Sequence, residues 1–99
     1  MKLALYTRKL KEEHIEYVYA LIAFLKKNNI DLFICPELET YDIASYAQSI
    51  FENCLDIKQI NPDIMVSLGG DGTILDTVVL TKLAHTPVLG VNLGRLGFL

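Results

Sequence analysis

Gly69-Gly70-Asp71-Gly72-Thr73 sets one carboxylate among three glycines. The apolar run Ile64-Met65-Val66-Ser67-Leu68 leads into it, and a helix-like pattern from Ile74 to Leu80 follows. Glycine reaches positive φ and lets a ligand approach the backbone closely. Successive N–H groups in such a turn, with the free N–H groups of the helix behind it, form an anion-binding concavity. Thr73 can cap that helix or meet a phosphate oxygen. Asp71 would repel a phosphate, so it suits a hydroxyl or a divalent metal. A carboxylate within reach of an alcohol takes its proton as the alcohol attacks a phosphoryl group. An isolated Asp-Gly pair reads as a turn; the buried strand and flanking glycines here point to a site. The segment is not a P-loop, which needs a lysine after the last glycine, and it lacks the third glycine of the dinucleotide fingerprint.

The elements around the motif alternate. Lys2 to Tyr6 reads as a short buried strand, and Glu12 to Asn28 as a helix with Ile15, Val18, Ile22 and Leu25 on one stripe and Leu21 widening it. Asp31 to Cys35 is a second strand, closed by Pro36. Thr40 to about Cys54 has helical spacing at Ile43, Ala47, Ile50, Phe51 and Cys54. Asn61-Pro62-Asp63 breaks the chain before a third strand, Ile64 to Leu68. A third helix spans about Gly72 to Leu83, with Leu75, Val78, Val79 and Leu83 as its inward face. Pro87 opens a fourth strand, Val88 to Val91. This βαβαβαβ order predicts a single α/β domain of the three-layer, Rossmann-like or flavodoxin-like kind, with a mainly parallel four-stranded sheet. In open sheets of this kind, ligands bind beyond the carboxyl ends of the strands. Both glycine-rich segments, 69–73 and 90–97, fall there, and all six glycines lie between Gly69 and Gly97.

Composition narrows the function classes. A chain of 99 residues that is 52% hydrophobic fits one packed domain and excludes disorder. Its apolar runs are too short to span a bilayer, and its first residues lack a signal-peptide stretch, so a cytoplasmic location is expected. The net charge is −3, and no basic patch points to nucleic acid. Glu37 to Asp63, with Lys58 as its one counterweight, reads as a solvated acidic surface. Cys35 and Cys54 read as buried, inert thiols, and no histidine or cysteine cluster suggests a metal site. His14 and His85 read as surface or capping residues. Tyr17, Tyr19, Tyr41 and Tyr46 cover helix faces or line a partner surface. The apolar, glycine-rich run Gly94-Arg95-Leu96-Gly97-Phe98-Leu99 suggests a piece of a longer protein.

Gly69-Gly70-Asp71-Gly72-Thr73 resembles the signature shared by NAD kinases, diacylglycerol and sphingosine kinases, and 6-phosphofructokinases. Asn92-Leu93-Gly94-Arg95-Leu96-Gly97-Phe98-Leu99 is similar to the N-x-G-x-L-G-F-L segment of NAD kinases, whereas the G-T-x-N-D stretch of lipid kinases is missing. The resemblance is specific over residues 63–99 and architectural over 1–62. It implies phosphorylation of the adenosine ribose 2′-hydroxyl of NAD, with ATP or polyphosphate as donor and a divalent cation, Mg²⁺. It implies Asp71 as general base, Gly72 beside it in the NAD site, Gly70 and Thr73 at the phosphate-binding turn, and Phe98 near the dinucleotide. It further implies a C-terminal β-rich domain beyond this N-terminal one, an inactive fragment without it, and a homo-oligomer. Asp76 departs from the pattern, because many relatives carry a basic or polar residue there; an acid suits a hydroxyl or solvent instead. A lipid or other small-alcohol kinase of the same superfamily, or a non-catalytic nucleotide-binding domain, are the alternative readings.

Overall fold

The structure, a computed structural model, describes residues 1–41 and 45–93. Five parallel strands form one sheet: β1 (Lys2–Thr7), β2 (Asp31–Ile34), β3 (Ala47–Ile50), β4 (Ile64–Gly69) and β5 (Val88–Asn92). Their order is β3-β2-β1-β4-β5, so the chain reverses direction across the sheet between β1 and β4. That switch point is where open α/β sheets leave a crevice for ligands. Helices α1 (Ile15–Lys27), α2 (Cys54–Ile60) and α3 (Asp71–Leu80) alternate with the strands. Leu3, Leu5, Ile34, Met65 and Leu68 are buried in the sheet, and Val18, Ile22 and Leu25 of α1 pack into the same core. Asn28 and the left-handed Asn29 end α1.

Two expectations fail. The sheet has five strands instead of four, because the segment expected as one helix from Thr40 to Cys54 contains β3. The backbone of residues 47–50 pairs with the open edge of β2, and Phe51 N–H continues the ladder to the Ile34 carbonyl at 2.9 Å. Helix α2 starts only at Cys54, where a capping box dictates it. The Asn53 side chain accepts from the N–H groups of Leu55 and Asp56, both at 3.0 Å, and the Asp56 carboxylate accepts from Asn53 N–H at 3.2 Å. Two reciprocal bonds that satisfy the orphan donors outweigh a chance helical spacing. Asn61, left-handed with φ 52°, closes α2 before Pro62. Ile43 of the expected stripe lies outside the described residues.

The second failure is the phase of α3. Leu75, Val78, Val79 and Leu83, expected to face inward, are all exposed, and Thr73 and Thr77 are buried instead. The turn brings Thr73 so close to Gly69 that a Cβ on Gly69 would stand 2.4 Å from its Oγ1, and this phase leaves the apolar residues outward. Thr77 tolerates burial because its hydroxyl donates to the Ile74 carbonyl at 2.6 Å. Leu80 is the partly buried apolar residue that completes this inner line.

Candidate active site

The parallel register brings three strand ends together. Thr7 aligns with Leu68, and Gly69 with Asn92, so the exits of β1, β4 and β5 lie side by side. Gly69 holds φ at 152°, and a Cβ there would come within 2.4 Å of Thr73 Oγ1. Glycine is therefore required both for the backbone angle and for the space. Gly70 takes the N-cap position of α3, and a Cβ on it would meet nothing within 4 Å, so its surface is open to a ligand. The Thr73 and Ile74 N–H groups both donate to the Gly70 carbonyl, at 3.1 and 3.3 Å. The N–H groups of Asp71 and Gly72 have no acceptor among the described residues, which leaves two donors and the positive end of α3 for an anion.

A cleft of about 240 Å³ opens at the switch point, lined by Arg8, Lys9 and Lys11 on one side and Gly69, Gly70 and Thr73 on the other. Thr73 is 5% exposed and lines this cleft. A larger cleft of about 380 Å³ lies beyond Tyr6 and Asp76 and has Glu37 and Glu52 on its wall. Size favours the larger cleft for a phosphate chain, but charge decides for the smaller one. Three cationic side chains and a helix N-terminus face one opening, and carboxylates face the other.

Asp71 is the first residue of α3, exposed, with no hydrogen bond or ion pair among the described residues. It directly follows Gly70, which lines the cationic cleft. Gly70 and Thr73 line that cleft, and Gly72 sits beside Asp71 under Arg8. Phe98 and the rest of 94–99 lie outside the described residues. His14 lines the cationic cleft from the start of α1, while His85 is exposed in the loop before β5.

Asp76 is claimed by the protein itself. The Arg8 guanidinium grips it with Nε to Oδ2 at 2.6 Å and Nη2 to Oδ1 at 3.0 Å, and Tyr6 donates its hydroxyl to Oδ2 at 2.8 Å. The Arg8 hydrogen bond holds the Asp76 carboxyl below its usual range, helped by the Tyr6 hydroxyl. Burial, followed by the Asp76 contact, pushes the Tyr6 phenol upward. Asp76 does bind a hydroxyl, as an acid at this position should, but the hydroxyl is that of Tyr6. Sequence reasoning missed Tyr6, Arg8, Lys9 and Lys11. The signal was the basic run Arg8-Lys9-Leu10-Lys11 directly after a buried strand, at the end of the sheet where ligands bind.

Cys35 is buried at the end of β2, its thiol sharing weak hydrogen bonds with Thr7, and Cys54 is half-buried; neither forms a disulfide. Burial raises the Cys35 thiol to about 11, which makes it inert. Among the described residues no helix is long and apolar enough to cross a membrane.

Residues 3–99 match the family model described as the ATP-NAD kinase N-terminal domain. The chain belongs to that family. Over its whole length it is 36% identical to an NAD kinase of Cytophaga hutchinsonii, covering 35% of that relative. It is 35% identical to an NAD kinase of Methanosphaera stadtmanae, covering 34% of it. A stretch of 45 residues is 53% identical to an NAD kinase of Thermoplasma acidophilum. The chain thus spans about a third of the length of the curated relatives matching it from end to end.

Proposed function

We propose that the complete protein phosphorylates the adenosine ribose 2′-hydroxyl of NAD, with ATP or polyphosphate as donor, and that this domain supplies the base and the phosphate seat. The observation that carries the reading is the exposed, unpaired Asp71 that begins α3 directly after Gly70, which lines a cleft together with Arg8, Lys9 and Lys11. Asp71 takes the hydroxyl proton as the ribose oxygen attacks the terminal phosphorus. A new P–O bond forms, the bond to the bridging oxygen breaks, and its electron pair leaves with the shortened donor. Gly70, Thr73 and the free N–H groups of α3 hold donor phosphates, Gly72 admits the ribose close to the backbone, and the family resemblance assigns Phe98 to the dinucleotide site.

A divalent cation such as Mg²⁺, when bound with the donor, would neutralise phosphate charge, and Asp71 is the carboxylate nearest the α3 turn that could face it. A C-terminal, β-rich domain completes the NAD site, so the isolated domain turns over little. The complete protein is a cytoplasmic homo-oligomer that binds neither nucleic acid nor membrane. The test is a substrate panel on the full-length protein with ATP or polyphosphate and Mg²⁺, offering NAD, diacylglycerol and fructose 6-phosphate in turn. Phosphate transfer to NAD alone supports the reading. Transfer to either of the others identifies a different kinase of the superfamily, and transfer to none of them a non-catalytic domain.

A further inference from the structure

We propose that Arg8 is a catalytic residue that contacts the phosphoryl group in transfer, and that Asp76 and Tyr6 are positioning residues that aim it. The proposal rests on the phosphotransfer reading above and adds residues that reading does not contain.

The position of Arg8 comes from three bonds. Nε and Nη2 bind the two oxygens of Asp76, and Nη2 also donates to the Gly72 carbonyl at 3.2 Å. A guanidinium has five N–H bonds in a rigid fork. Three are engaged, and the two on Nη1 have no carboxylate or carbonyl acceptor among the described residues. A Cβ on Gly72 would lie 2.9 Å from Nη1, so this free edge sits directly over Gly72, the residue after Asp71. Arg8 also lines the cationic cleft. It therefore reaches from the cleft to Gly72, the neighbour of Asp71, and can meet a phosphoryl group between donor and hydroxyl. Lys9 and Lys11 line the cleft farther along the same loop and have no comparable anchor among the described residues.

Asp76 lies one turn beyond Gly72 on α3, and its two bonds restrict the rotamers of the solvent-exposed Arg8 side chain. The Tyr6 hydroxyl binds the same carboxylate and fixes its orientation, while the Nη1 edge of Arg8 keeps its two donors for a phosphoryl oxygen. Arg8 exchanges no proton in the step. It offsets the charge spread over the equatorial oxygens while the P–O bonds form and break, a role that preorganised donors fill best.

The test uses the full-length protein with NAD, ATP and Mg²⁺. R8A is expected to lower kcat by about a hundredfold or more with little change in the donor KM. Free guanidinium at millimolar concentration is expected to restore part of that loss in R8A and none in D71N. D76N is expected to lower kcat roughly tenfold with the donor KM unchanged, because the guanidinium remains but loses its aim. D76E should recover part of the D76N loss, and Y6F should fall between wild type and D76N. An R8A kcat within threefold of wild type alongside an inactive D71N overturns the proposal and leaves the phosphotransfer reading intact. So does an effect confined to KM, or a loss that guanidinium does not rescue, which marks a purely structural arginine. Failure of the wild-type protein to phosphorylate NAD overturns both.

Discussion

Replacing Gly69 by alanine places the demands of the turn on a measurable scale. The native φ of 152° is one that side-chain-bearing residues rarely adopt, and such strain costs on the order of 1–3 kcal/mol. The added Cβ would also stand 2.4 Å from Thr73 Oγ1 and 3.0 Å from Thr73 Cβ. Thr73 is buried in the first turn of α3 and cannot swing away without moving the helix. Relieving the overlap adds about 1–2 kcal/mol, as overpacking generally does. The expected total is about 2–5 kcal/mol, a large part of the roughly 5–15 kcal/mol that stabilises a typical domain. Urea denaturation of the full-length protein measures it, with Gly70→Ala as control; that site has no atom within 4 Å of the added methyl, so the loss should stay under about 1 kcal/mol. The double mutant Gly69→Ala/Thr73→Ala removes the closest contact and should be less destabilised than the sum of the singles by about 1 kcal/mol. A Gly69→Ala loss below about 0.5 kcal/mol, or strict additivity in the cycle, would refute the claim that this contact sets the turn.

Three further predictions concern charge, thiol reactivity and pH. Lys9→Ala/Lys11→Ala should raise the donor KM about tenfold and leave the NAD KM within twofold, because both lysines line the cationic cleft; steady-state kinetics at two salt concentrations checks this, with the larger effect at low salt. Cys35 should resist an aromatic disulfide reagent at pH 8, where only about one thiol in a thousand is ionised, while the half-buried Cys54 reacts first. The Cys35 thiol is raised from 9.0 to about 11 on folding, so its contribution to stability is complete below pH 9 and disappears as pH rises through about 11. Cys35→Ala should therefore show a flatter stability curve than wild type over that interval.

The strands flanking the site were legible because β1, β2 and β4 are continuous apolar runs, the pattern of strands covered on both faces. Helix α1 was legible from its stripe of Val18, Ile22 and Leu25. The region from 40 to 60 was misread because spacing was weighed above capping, and the Asn53/Asp56 box was visible in the sequence. The face of α3 was not legible: its rotation follows from a contact between Gly69 and Thr73, and hydrophobic pattern carries no record of that contact. The glycines and Asp71 announced the turn by type and spacing alone. Arg8 and Asp76 did not, because 68 residues separate them and only the parallel pairing of β1 with β4 brings them together.

The assignment of Asp71 as the base is tested most directly by NADP formation in full-length Asp71→Asn. Asparagine preserves the shape of the exposed side chain and the turn around it, so the folded protein should keep its denaturation midpoint. It cannot accept the ribose proton, so kcat should fall by at least about a hundredfold, the range general-base catalysis supplies, with the KM for both substrates changed little. Wild-type-like turnover in the folded mutant would contradict the account.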